Sequence, residues 1–431
     1  MFQTLPDELW VSILSHLPDF NTLKNAALTS STWLRCAPSA CRQVTLNEIG
    51  PSILPEAVMA LESSRFDSKD LNLVVKYSDK YLKRRPVIPP TISLADGAAL
   101  SELHKCGRHL ASKYQDFALH RLTREQCSLA NDRRDWPQPP SPADEPTAAE
   151  TARFQRALYR FEVYRNLFKD PEVVIFNLDV VNFQRIHFFD FLTPWEMEQL
   201  VAVRDYLAAA VIGPPLHTLV ELRKLQALSK HHCGPVNGQV VYWTDPILPP
   251  HLERGDCHIR QNQARLLCFG IKFLYKVSIT PTTQFYQLLL TLPQQPRYDS
   301  YNRVGEIYVW FSDAVDKCNE LSNSETPRDS PVSAWSPEDY KQRVGQSMVT
   351  EDMDKGPEEA WYWAYQSFLG FQNNDPRMTN CRLFGLFFWD SQRLEKINFF
   401  TRVDFWWWRW EGGRQPDFDW DIGAMNFRRF S

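Results

Sequence analysis

Along the first forty residues the apolar positions fall into three short helical groups. Leu9, Ile13 and Leu17, with Trp10 and Leu14 beside them, recur at helical spacing and form a broad stripe. Thr4 is placed to cap this helix, with Pro6 in its first turn and Asp7 and Glu8 at the positive end of its dipole. Pro18 ends it, because the residue before a proline resists the helical region. Asp19 and Asn21 suit the turn and the next cap. Leu23, Ala27 and Leu28 describe a second helix, and Trp33 stands near the start of a third that Pro38 limits. A single core in a unit of about 40 residues is marginal, and this stripe is wider than such a core needs. Two readings stay open from the pattern alone: the helices pack on the rest of the chain, or they dock on another protein.

Farther along, residues 54–61 have a helical pattern, and Leu71-Asn72-Leu73-Val74-Val75 reads as strand or helix. Residues 98–130 read as a helix of mixed polarity. The run Trp136-Pro137-Gln138-Pro139-Pro140-Ser141-Pro142 is an extended surface loop, so one long loop is expected near 131–150. The clearest helix carries Phe154, Leu158, Phe161, Leu167 and Phe168 on one face, with Arg153, Arg156, Arg160 and Arg165 around it. Residues 173–192 are apolar and aromatic, and periodicity does not separate helix from strand there. Thr193-Pro194-Trp195-Glu196 is a capping box with proline at the first helical position. Leu219, Leu222, Leu225 and Leu228 suggest another helix, and helical runs return near 261–276 and 283–292. A second long loop is expected near 320–357. Pro357-Glu358-Glu359 then opens a helix with Trp361, Ala364, Tyr365 and Phe368 on one face. The expected fold is mainly α.

Composition narrows the function classes. Aromatics make up 13 % of the chain, with 15 Trp and 27 Phe, which marks a folded rather than a disordered chain. The formal charge of −4 is nearly balanced, which argues against nucleic acid as a partner. No apolar run reaches the roughly 20 residues of a membrane span, and no secretory signal is seen. Nine cysteines without a Cys-x-x-Cys pair read as reduced thiols. The expected location is cytoplasmic, nuclear or both, with no membrane partner.

The run Leu5-Pro6-x-Glu8-Leu9…Ile13-Leu14…Leu17…Leu23…Ala27-Leu28-Thr29-Ser30…Trp33 resembles the F-box consensus. The resemblance implies a three-helix F-box over 1–45 and a mainly helical C-terminal domain, client-binding, over 46–431. It implies docking on the Skp-type adaptor of cullin–RING ubiquitin ligases and, through it, on a cullin. Leu5, Pro6, Leu9, Ile13, Leu14, Leu17, Pro18 and Leu23 are the implied adaptor-binding residues, with Trp33 holding the third helix beside them. Pro6, Leu14 and Leu17 are the expected hot spots. Asn25-Ala26-Ala27 departs from the family, which carries branched residues there. Tyr159-Arg160-Phe161, Pro194-Trp195-Glu196 and Phe388-Trp389-Asp390…Arg393-Leu394 resemble segments of F-box proteins from filamentous fungi. No repeat with a period of about 20–50 residues is present, so the repeat-built client domains that often follow an F-box are not expected.

Little else in the chain suggests chemistry. His231-His232-Cys233 with Cys257-His258 is the one metal-like grouping, and its spacing matches no zinc module. No nucleophile elbow, phosphate loop or His-Glu-x-x-His helix occurs. No cofactor, metal or catalytic residue is therefore expected. Trp406, Trp407, Trp408 and Trp410, with Trp389, read first as core and secondly as a groove for a peptide or cation. The favoured function is a non-catalytic substrate-recognition subunit of a ligase for an unknown client. The rivals are a ligase-independent F-box protein and a metal-dependent or hydrolytic enzyme built on 231–258.

Overall fold

The computed structural model of the chain describes residues 5–66, 70–82, 88–132, 145–168, 180–219, 263, 266–292, 354–367 and 376–396. Among them 82 % are helical and none lies in a strand, so the open reading at 71–75 resolves as helix. The first three helices are α1 (Asp7–Ser15), α2 (Phe20–Thr29) and α3 (Ser31–Ile49). Pro6 takes the N-cap position of α1 and makes no side-chain cap bond; Thr4, the expected cap, lies outside the described residues. Asp19 caps α2 as expected, its Oδ1 accepting from the Thr22 amide at 2.7 Å.

Pro38 does not limit α3, which runs through it to Ile49. An interior proline costs about 3 kcal/mol or more. Here Pro38 is exposed, and the opposite face of α3 buries Cys36, Ala37, Ala40, Cys41 and Val44. That burial offsets the lost backbone bond. The expected domain boundary at 45/46 falls in the last turn of this helix.

The body contains α4 (Leu54–Ser63), α5 (Leu71–Tyr77), α6 (Leu94–Asp132), α7 (Ala148–Phe168), α8 (Val180–His187) and α9 (Pro194–Tyr206). It continues with α10 (Ile271–Ile279), α11 (Phe285–Leu290), α12 (Gly356–Ser367), α13 (Pro376–Leu383) and α14 (Ser391–Lys396). The expected helices near 54–61, 98–130, 283–292 and after Pro357 are all present. The run expected at 261–276 is broken at Gly270, whose φ of +81° favours glycine.

Helix α7 is the hub and packs on α4, α6 and α9. The sequence pattern suggests one apolar face, but α7 is buried nearly all round, with Arg153, Gln155, Arg160, Glu162 and Asn166 inside beside Phe154, Leu158 and Phe161. Most of these polar groups are accommodated by pairing, while the buried Gln155 Oε1 has no hydrogen-bond partner among the described residues. Arg160 lies 3.2 Å from Glu56 of α4 and 2.9 Å from Glu196 of α9. Arg153 donates to Asp390 at 2.6 Å and to the Phe388 carbonyl at 2.9 Å. Glu162 accepts from the Ile271 amide at 2.8 Å and so caps α10. Burial raises the Glu56 carboxyl, an effect that Arg160 partly opposes.

Two capping boxes set helix starts. Thr193–Glu196 is the expected one: Thr193 Oγ1 accepts from the Glu196 amide and Glu196 Oε2 from the Thr193 amide. Thr147–Glu150 does the same for α7, with the Thr147 amide donating to Glu150 Oε2 at 2.8 Å. Both glutamates also bind an arginine, since Arg393 donates to the two oxygens of Glu150 at 2.8 Å each. Ring stacking seals this end, with Phe154 and Phe388 centroids 4.0 Å apart. Trp389 is fully buried there, its Nε1 donating to the Phe384 carbonyl at 2.8 Å. It is core, not the wall of a groove.

The N-terminal helices join the body along α6. A Cβ on Gly97 would come within 2.6 Å of the Cys41 sulfur and the Phe20 ring, so only glycine lets α6 approach α2 and α3 this closely. Glu48 accepts from the Phe20 amide at 3.0 Å and from the Ser101 hydroxyl at 2.7 Å. Arg42 donates to the Pro89 carbonyl at 2.9 Å.

Arg160→Ala leaves two buried carboxylates facing each other. It is expected to lower stability by about 3–5 kcal/mol, measured by urea unfolding. His104 gives a pH dependence. Its Nδ1 hydrogen-bonds the Tyr159 hydroxyl at 2.9 Å, and burial, seconded by Arg108, depresses the imidazole from 6.5 to about 4. The unfolded chain takes up a proton below 6.5 that the folded chain refuses until about pH 4. The stability is therefore full above 6.5 and is lost as pH falls toward 4. Between pH 7 and 5 the wild type should lose about 2 kcal/mol more than His104→Gln, read as the difference in denaturant midpoints.

Candidate protein-docking face

Helix α1 divides its apolar stripe in two. Trp10 and Leu14, four residues apart, turn inward, with Leu14 only 1 % exposed and the Trp10 ring 5.6 Å from that of Trp33. Leu9 and Ile13, also four apart and rotated about 100° from the first pair, stand 49 % and 48 % exposed. Pro6 and Pro18 are exposed at the two ends of this ridge. Leu5, Leu17 and Trp33 are half-buried and lean on the core.

Leu14 and Leu23, also implied by the consensus, lie off this ridge. Leu23 is completely buried, like Leu14, and both side chains form the interior of the three-helix unit instead of a free surface. The reason is periodicity on so short a helix. Position 14 shares the phase of Trp10, and position 23 shares that of Ala27, each pointing at α3.

Two exposed residues escaped the reading of the sequence. Leu28 is 74 % exposed and Leu34 is 54 % exposed. Leu28 seemed to continue the inward group, yet it sits one residue out of phase with Leu23 and Ala27. Leu34 stands seven residues before the buried Cys41 and so shares its side of α3, yet it is exposed in the first turn of that helix. Phase within the helix was an available signal at Leu28 but not at Leu34.

Helix α3 holds both ends of α1. Arg35 donates through Nε and Nη2 to the two oxygens of Asp7, at 3.1 and 2.6 Å. The hydrogen bond and charge of Asp7 raise the Arg35 guanidinium further above its ordinary value. At the other end Asn47 Nδ2 donates to the carbonyls of Ser15 and Leu17, at 2.9 and 3.1 Å. Gln43 in turn donates to Asn47 Oδ1 at 3.0 Å.

The other candidates from the sequence do not add to this face. The His231–Cys233 and Cys257–His258 groups, the Leu219–Leu228 pattern beyond residue 219 and Trp406–Trp410 lie outside the described residues. Among the described residues no cluster of His, Cys, Asp and Glu is arranged to hold a metal, and no helix is long and apolar enough to cross a membrane.

A family model described as F-box-like matches residues 2–46. The chain thus carries an F-box-like domain, made of α1, α2 and most of α3, joined to a larger helical body. That domain suggests binding to an Skp-type adaptor. No curated protein matches the chain, and no solved structure does. The likeness of the downstream segments to fungal proteins therefore has no homologue behind it.

The division of the stripe predicts opposite behaviour for neighbouring residues. Leu14→Ala should destabilise the three helices by about 2–5 kcal/mol, and Ile13→Ala by about 0.5 kcal/mol or less. Amide hydrogen exchange across α1–α3 measures both.

Proposed function

We propose that this chain is the substrate-recognition subunit of an SCF-type cullin–RING ubiquitin ligase. The observation that carries the reading is the Leu9–Ile13 ridge, left half-exposed on an F-box-like domain whose α2 and α3 each also pack against the body. Full burial of a leucine or isoleucine contributes about 1.5–3 kcal/mol before association costs. Two half-exposed side chains flanked by Pro6 and Pro18 thus favour an apolar groove as the partner surface. The Skp-type adaptor is that partner, and it links the chain to a cullin.

The helical body presents a protein client. The contribution to ubiquitin transfer is proximity, since the assembly raises the local concentration of client lysines near the conjugating enzyme. This chain supplies no catalytic residue in that scheme. Cys36, Cys41, Cys106, Cys268 and Cys381 are free thiols, which fits a reducing compartment, cytoplasm or nucleus.

The test is affinity capture of the full chain beside Leu9→Asp/Ile13→Asp, with mass spectrometry of both. The exposed positions tolerate the charge in the free chain, and an apolar groove does not. Adaptor and cullin should be lost together from the double variant while clients are retained. A wild-type chain that captures no adaptor overturns the reading. Capture of adaptor without cullin assigns a ligase-independent role.

A further inference from the structure

We infer that Arg35 and Asn47 are positioning residues that hold α1 in its docking conformation before any partner arrives. The inference rests on the adaptor-docking reading above and goes beyond it, because neither side chain belongs to the apolar ridge.

Helix α1 has nine residues and no side-chain N-cap bond. Isolated helices of that length are not stable in water. Pro18 prevents α1 from extending, so its last carbonyls have no helical partner. Left alone, the segment would have to be ordered on binding, and that ordering subtracts from affinity.

The long helix α3 removes this cost from both ends. The fork of Arg35 engages Asp7 in the first turn of α1 with two hydrogen bonds. The amide of Asn47 collects the carbonyls of Ser15 and Leu17 at the last turn. Gln43 fixes which way that amide points, since it donates to Asn47 Oδ1 and leaves Nδ2 toward α1. Between the two clamps lie Leu9 and Ile13, which the described residues leave about half-exposed. Arg35, Asp7 and Asn47 are themselves exposed, so they add little to the buried core of the domain. Their arrangement orients the ridge.

The experiment uses the full chain and purified Skp-type adaptor. Binding is titrated calorimetrically for wild type, Arg35→Ala, Asn47→Ala and the double variant. Hydrogen exchange of α1 amides is followed in each free protein. Each single variant should weaken binding about threefold to tenfold, with the double variant weaker still. Exchange in α1 should quicken in parallel, with α3 and the body unchanged. Affinity within twofold of wild type in the double variant overturns the inference and leaves the docking reading intact. So does a loss of affinity with α1 exchange unaltered, which would make the two residues direct contacts. A wild-type chain that does not bind the adaptor removes the docking reading and this one with it.

Discussion

A buried guanidinium shared by two carboxylates holds three helices of this protein in one arrangement. Arg160 of α7 reaches Glu56 of α4 on one side and Glu196 of α9 on the other. All three groups are taken from water, and each would be costly alone. Burial works to lower the Arg160 guanidinium, yet the two glutamates outweigh it and the net shift is upward. Such a trio tolerates few alternatives, because sliding any of the three helices by one turn would strand a charge in an apolar interior. Arg153 with Asp390, and Arg382 with Glu198, repeat the device and tie the distant segment 376–396 to α7 and α9.

Local and global roles coincide at the capping boxes. Glu150 and Glu196 each close the start of a helix and also receive an arginine from elsewhere in the chain. A helix start is therefore also a tertiary contact, so propensity and packing agree on where α7 and α9 begin. The same economy of space appears where the F-box-like domain meets α6. Small residues on α3 and Gly97 on α6 allow close approach, and that contact engages one side of α2 and α3 while α1 keeps its ridge outward.

Much of this was legible from residue order. The three N-terminal helices, the Thr193 capping box, the Asp19 cap, the long α6 and the aromatic α7 follow from periodicity and cap chemistry. Thr147-x-x-Glu150 is the same motif and carried the same information, though it was overshadowed by the proline-rich stretch before it. Other features could not be read that way. Pro38 looked like a stop signal, since nothing local reveals that the alanines and cysteines beside it are buried against three helices. The burial of the α7 arginines was not visible either, because their partners, Asp390 and Glu196, lie far away along the chain.

The amino-acid sequence by itself determined that the chain is helical, where most helices begin, and that its first residues carry an F-box-like pattern. These depend on interactions within a few residues, which spacing records directly. Tertiary structure alone decided which apolar side chains of α1 face inward, that Leu14 and Leu23 are core while Leu9 and Ile13 are surface, and that Arg153 and Arg160 are buried. Those outcomes depend on what packs against each helix, and a helical period gives the relative phase of residues without saying which phase meets a neighbour.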